Sequence, residues 1–169
     1  NDRIMRVKDS IKKIERGIKN ALDHNIRVSI NMVITKFNYK RVYDTGKYIS
    51  ELGCQKFFVT RAVPPVYSYS DKKPEVAIEY QMTHEETKEA LDQAIRVKEE
   101  FGTGIGSLVN YPVCFLGDLE KYKDFVGRGC PSQRGHRLNV NATGDLHVCV
   151  HEEKSYGNLF KDDLKEVYK

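Results

Sequence analysis

Apolar residues return at helical spacing from Asp9 to Leu22, at Ile11, Ile14, Ile18 and Leu22, with Lys and Arg on the opposite side. The pattern predicts a first helix, closed by His24-Asn25. From Ile26 to Thr35 the period shortens to two. Ile26, Val28, Ile30 and Met32 fall on one face and Val33-Ile34 extend the apolar run, which predicts a strand. Asn38 is placed to N-cap a second helix running to Leu52, and Gly53 to stop it. Lys56-Phe-Phe-Val-Thr60 then predicts a second, buried strand. Strand, helix and strand in succession make a βαβ unit, which implies parallel pairing.

A loop rich in proline and tyrosine follows, from Pro64 through Pro74. Thr83-His-Glu-Glu86 has the form of a capping box for a third helix, ending near Phe101-Gly102, with Ala90, Leu91, Ala94, Ile95 and Val97 as its apolar stripe. Gly104 to Asn110 predicts a third strand. This rhythm belongs to an α/β barrel or a doubly wound sheet, and in either the chemistry gathers at the C-terminal strand ends. After Pro112 the style changes: glycine, cysteine and short strands replace long helices and mark a second, small domain. There Arg137-Leu-Asn-Val-Asn141 and Leu146-His-Val-Cys149 alternate about a turn at Thr143-Gly144-Asp145, the pattern of a hairpin. Gly157-Asn158-Leu159 precedes a short helix starting near Asp162.

Composition narrows the function classes. The chain has 169 residues, 40% hydrophobic and 31% charged, enough for one compact domain or a domain with a small appendage. A net charge of +4 without a dense Lys/Arg block is no nucleic-acid signature. No run of apolar residues is long enough to span a membrane, and no signal peptide precedes the first helix, although the chain starts at Asn1. Four cysteines in a chain with a conventional core point to reduced thiols in a cytoplasmic setting rather than a disulfide scaffold.

Three of those cysteines carry the candidate chemistry. Cys130, Gly144 and Cys149 follow the spacing C-x13-G-x4-C, which places one thiol just before the hairpin and one on its returning strand. Cys114 lies upstream beside Pro112-Val113. Soft thiolates gathered by a short hairpin suit an iron–sulfur cluster or a zinc ion, and His151 is spaced to complete a zinc site of three cysteines and one histidine. Cys54, between a helix end and a strand, reads as a small buried hydrophobe.

Together the barrel-like βαβ rhythm and the cysteine hairpin resemble the C-terminal part of a radical S-adenosylmethionine (radical SAM) enzyme with a SPASM or twitch extension. The resemblance is carried by Val28-Ser-Ile-Asn31-Met-Val-Ile-Thr-Lys-Phe-Asn38, by Leu52-Gly53 and Pro64-Pro65 around the next strand, and by C-x13-G-x4-C followed by Tyr156-Gly157-Asn158-Leu159. It implies an α/β fold in which residues 1–111 form the second half of a partial (β/α) barrel and residues 112–169 begin a small cysteine-bearing β-hairpin domain. It also implies that Cys114, Cys130 and Cys149 ligate an auxiliary 4Fe–4S cluster, with a fourth ligand or an open position. In such enzymes a reduced cluster splits S-adenosyl-L-methionine, and the 5′-deoxyadenosyl radical abstracts a substrate hydrogen. The implied partners are a peptide or small-protein substrate, commonly a ribosomally made peptide, and an electron donor such as flavodoxin or ferredoxin.

Two features depart from the family pattern. The C-x3-C-x2-C loop of the SAM-cleaving cluster is absent and is expected upstream of Asn1, and the later SPASM cysteines are absent too. The chain is therefore expected to be a fragment, inactive alone. The rival class is a non-catalytic binding module folded around zinc or a cluster.

Other polar positions have two readings each. Asn31 stands in an apolar strand, where a buried amide needs a partner, and Ser29 shares its parity. The resemblance turns both toward bound S-adenosylmethionine or substrate, whereas a structural hydrogen bond would satisfy them equally. Arg61, at a strand's C-terminal end, is placed to clamp a carboxylate of cofactor or substrate, or to form a surface ion pair. Tyr67 and Tyr69 would line a substrate opening or pack their loop. Arg134, His136 and Arg137 would offset thiolate charge beside Cys130 or simply meet solvent. His24, His84 and His147 show no ligating spacing.

Overall fold

The computed structural model describes residues 6–63, 80–127, 129, 137–149, 152 and 154–167. It is a mixed α/β structure with a parallel three-stranded sheet followed by a small antiparallel one. The first helix, α1 (Ser10–Asp23), leads into β1 (Ser29–Ile34). A 3-10 turn (Tyr39–Arg41) opens α2 (Val42–Glu51), and β2 (Lys56–Arg61) follows. Next come α3 (His84–Phe101) and β3 (Gly104–Gly106), then the single turn α4 (Val113–Leu116) and a 3-10 turn at Lys123–Phe125. The three strands pair in parallel in the order β1-β2-β3, with Ile30 opposite Phe57 and Phe57 opposite Ile105.

Alternation of side chains sorts the sheet into two faces. Val28, Ile30, Met32 and Ile34 on the β1 side meet Phe57 and Val59 of β2, and α2 and α3 cover them with Val42, Ile49, Ala90, Leu91 and Ala94. Ile26 was expected to share this face, but it stands in the turn before β1 and is exposed. The α/β core continues beyond Pro112, because Leu116, Tyr122 and Phe125 belong to the same apolar cluster. Tyr122 donates its hydroxyl to Asp92 on α3 at 2.8 Å, and Lys98 of α3 pairs with Asp124 at 2.7 Å. This stretch closes the β3 edge so tightly that a Cβ on Gly106 would lie 3.4 Å from the carbonyl oxygen of Asp124.

Several local signals act as their chemistry requires. Thr83 Oγ1 accepts from the Glu86 amide while the Glu86 carboxylate accepts from the Thr83 amide, the expected capping box, and Gly102 ends α3 in a left-handed conformation. Asn38 behaves otherwise. Its amide oxygen accepts from the Thr35 amide at 2.7 Å and its Nδ2 donates to the Val33 carbonyl at 2.9 Å, so it fastens the end of β1 rather than capping α2. An Asn side chain reaching back to its own strand is unavailable to the helix, which starts instead through the 3-10 turn. The third strand is also shorter than its apolar run. Ser107 Oγ donates to the Val109 carbonyl and accepts from the Val109 amide, a local turn that carries the chain out of the sheet after Gly106.

The small sheet has three strands, β4 (Asn139–Val140), β5 (Asp145–His147) and β6 (Gly157–Asn158), all antiparallel. Leu146 is its fully buried centre and lies outside the main apolar cluster. A last short helix, α5 (Leu164–Val167), packs Val167 close to Gly157.

Gly46 fixes how near α2 approaches α3. A Cβ there would sit 2.5 Å from Val97 Cγ2 and 3.1 Å from the Phe57 ring, and both neighbours are fully buried. Gly46→Ala is expected to lose stability, because overpacking costs about 1–3 kcal/mol against a helix-propensity gain of about 1 kcal/mol. Urea unfolding monitored by circular dichroism checks this, and a raised midpoint would contradict the packing described.

Candidate functional site

The face of the parallel sheet turned away from α2 and α3 is accessible along β1 and mixes polar residues with the exposed Val33. Ser29 and Asn31 are both exposed there, beside Lys56 and the half-buried Phe58 of β2. Asn31 was expected to be a buried amide; it is not, because the helices of the described residues cover only the opposite face. Its hydrogen bonding is nevertheless defined. The Leu108 amide donates to Thr60 Oγ1 at 3.1 Å, so the hydroxyl proton of Thr60 is free to donate to Asn31 Oδ1 at 2.6 Å. That polarity makes the Asn31 nitrogen, with its two N–H groups, the end of the amide not engaged by Thr60. Thr60, which the sequence reading passed over as one more strand residue, is the organising group. Its signal in the sequence was a hydroxyl directly after the apolar run Phe57-Phe58-Val59.

Arg61 does not join this pair. In register with Ile34, it belongs to the helix-covered face at the end of β2, where its Nε donates to the Asn110 carbonyl at 3.4 Å. It borders a cleft lined also by Ile34, Met82, His84, Tyr111 and Phe115. Tyr111 is buried, its hydroxyl donates to the Val59 carbonyl at 3.1 Å, and burial pushes its phenol well above the ordinary tyrosine range. The sheet therefore separates Ser29 and Asn31 from Arg61.

The cysteines fall into two kinds. Cys54 is buried between α2 and β2, and burial raises its thiol pKa, as befits a core residue. Cys114 is exposed on α4 and Cys149 is half-buried just beyond the end of β5. Strand β5 ends at His147, short of the predicted Cys149. Cys130, the third expected ligand, lies outside the described residues, as do His151, Tyr67, Tyr69, Arg134 and His136. Among the described residues, no group of three His, Cys, Asp or Glu side chains is placed to hold a metal. The exposed Arg137 lies two residues before β4. The remaining histidines are engaged elsewhere: His24 Nδ1 with the Asn20 carbonyl, His147 Nδ1 with the Lys154 carbonyl, and His84 edge-on to the Phe115 ring.

The hairpin turn ahead of Cys149 is closely fastened. Gly144 adopts φ +86°, and a Cβ there would lie 2.5 Å from the Phe160 ring. Asn158 on β6 is buried and reaches across: Nδ2 donates to the Thr143 carbonyl and to Asp145 Oδ1, both at 2.9 Å, while Oδ1 accepts from the Phe160 amide. Asp145 also accepts from Thr143 Oγ1 at 2.6 Å and from Asn141 Nδ2 at 3.0 Å. The hydrogen bonds from Thr143, Asn158 and Asn141 hold its pKa down to about 2. The Gly157-Asn158 pair, read from sequence only as part of a motif, is thus the strand that locks the turn.

No protein-family model matches this chain, and no curated protein matches it significantly. No helix of the described residues is long and apolar enough to cross a membrane.

Replacing Thr60 by Val removes a hydroxyl that joins β1 to the segment after β3. The expected loss is about 1 kcal/mol, the net worth of an ordinary hydrogen bond. Thr60→Ser keeps the hydroxyl and should hold the Asn31 side-chain amide resonances in place, whereas Thr60→Val should move them. Unchanged resonances in Thr60→Val would contradict the relay.

The depressed pKa of Asp145 sets a second expectation. Its folded value of about 2 lies below the unfolded 3.8, so its contribution is present above pH 3.8 and is lost as pH falls toward 2. Hydrogen-exchange protection at Leu146 should drop across that window and stay flat there in Asp145→Asn. Protection that rises on acidification would contradict the assignment.

Proposed function

We propose that this chain is the C-terminal part of a radical S-adenosylmethionine enzyme, its parallel sheet one wall of a partial (β/α) barrel and its hairpin the start of an auxiliary-cluster domain. The observation that carries the reading is a parallel sheet with one helix-covered face and one open face bearing Ser29 and Asn31, followed by a thiol-bearing hairpin. Strand order follows chain order with helices on one side, as a barrel wall requires. On the open face, Asn31 offers two N–H donors and Ser29 a hydroxyl, groups suited to the carboxylate or ribose of S-adenosylmethionine.

The donor chemistry fits an iron–sulfur cluster. Cys114 and Cys149 stand at exposed and half-buried positions, unlike the core thiol of Cys54, and Cys130 precedes the same hairpin. Cys114, Cys130 and Cys149 would hold the cluster, and thiolates are its usual protein ligands. When bound, an auxiliary cluster supplies an electron acceptor or an anchor for substrate beside the site of radical chemistry. The residues of this chain orient and enclose: the Thr60 relay fixes the donors of Asn31, and the locked turn fixes the strand that leads to Cys149. A peptide substrate, a flavodoxin or ferredoxin donor and a cytoplasmic setting complete the proposal.

Anaerobic reconstitution with iron and sulfide tests it. The expected product is brown, with broad charge-transfer absorbance that is lost in Cys130→Ser and Cys149→Ser and kept in Cys54→Ser. A colourless product that retains stoichiometric zinc would overturn the cluster in favour of a zinc-folded binding module.

A further inference from the structure

The helix-covered side of the sheet opens at the C-terminal ends of β1 and β2 into a cleft of about 310 Å³. That is at the small end of ligand cavities, roughly 300–1,000 Å³. Ile34, Met82 and Phe115 give it apolar walls, and Arg61 stands among them as a half-buried cation. Among the described residues its guanidinium makes one hydrogen bond, the long one from Nε to the Asn110 carbonyl, and neither Nη group has a partner there. Among the described residues, no Asp or Glu lines the cleft. Tyr111 supplies no compensating charge either, because its buried hydroxyl is spent on the Val59 carbonyl. His84 packs edge-on to Phe115, with ring centroids 4.3 Å apart, and holds that wall in place.

A half-buried guanidinium with no carboxylate beside it among the described residues favours an oxyanion that takes two parallel N–H bonds. The apolar walls favour an anion attached to a hydrocarbon body. A single cation matches one negative charge better than two, which selects carboxylate over phosphate. We infer that this cleft binds a small carboxylate borne on an apolar or aromatic group, with Arg61 as its clamp. It lies on the opposite face of the sheet from Ser29 and Asn31, so it stands independently of the radical-enzyme reading.

The test is titration of the full chain with 3-phenylpropionate, its neutral amide and phenyl phosphate, followed by calorimetry and amide chemical shifts. The acid should bind at least about tenfold more tightly than the amide, the margin of a hydrogen bond to a charged group. Shifts should centre on Ala62, Met82 and Phe115. Arg61→Gln should bring the acid down to the affinity of the amide while leaving the amide unchanged, and Phe115→Ala should weaken both. Equal affinity of acid and amide, shifts centred elsewhere, an unaltered acid affinity in Arg61→Gln, or tighter binding of phenyl phosphate would each overturn the proposal. Should Arg61→Gln fail to fold, the acid-to-amide ratio and the mapped shifts in the native chain decide it.

Discussion

The hydroxyl of Thr60 ties the chain beyond β3 to a side chain on β1, across the strand that carries it. It accepts from Leu108, where the chain has left β3, and donates to Asn31 on β1, while its own strand lies between them. Because an amide N–H can only donate, the direction of the whole relay is set from the Leu108 end. Asn31 must then accept with its oxygen, which leaves its nitrogen as the end not engaged by Thr60. On the other side of the same strand, Phe57 and Val59 are fully buried beneath the helices. One six-residue strand thus carries a core on one side and the relay on the other, and each proposed site belongs to one side only.

Much of this fold was legible in the sequence because its signals are local. The alternation of Val28, Ile30 and Met32 announced the core face of β1, and the Thr83–Glu86 box announced the start of α3. Gly53 and Gly102 end their helices with positive φ, as glycine permits. The sequence failed where a side chain had two partners to choose from. Asn38 suits an N-cap by residue type, yet it turns back to Val33 and Thr35. Ser107 looks like one polar position inside a strand, yet its hydroxyl closes a turn with Val109 that ends β3. Such choices depend on which acceptor lies nearer in space, and residue spacing does not encode that.

The candidate sites follow the same division. The hairpin was legible from alternation about Thr143-Gly144-Asp145. Its fastening by Asn158 was not, since the partners lie thirteen and fifteen residues away along the chain. By sequence, Ser29 and Asn31 within one strand and Arg61 at the end of the next were all candidates to meet bound cofactor or substrate. Parity separates them, because Arg61 is in register with Ile34 and Asn31 with Phe58. A strand end identifies a layer of the molecule but not a face, and the face decides which ligand a residue can reach.

The hairpin and the sheet meet functionally only if the three thiolates share one metal centre. The Asn158 lock and the left-handed Gly144 fasten the turn that leads into β5, Cys149 follows just beyond that strand, and Cys114 is accessible on α4. Mössbauer spectroscopy of the chain reconstituted anaerobically with iron and sulfide tests this most directly. The account predicts the quadrupole doublet of a cubane cluster, diminished when Cys114, Cys130 or Cys149 is replaced by serine. A spectrum of mononuclear iron alone, or a cubane signal indifferent to all three replacements, would contradict it.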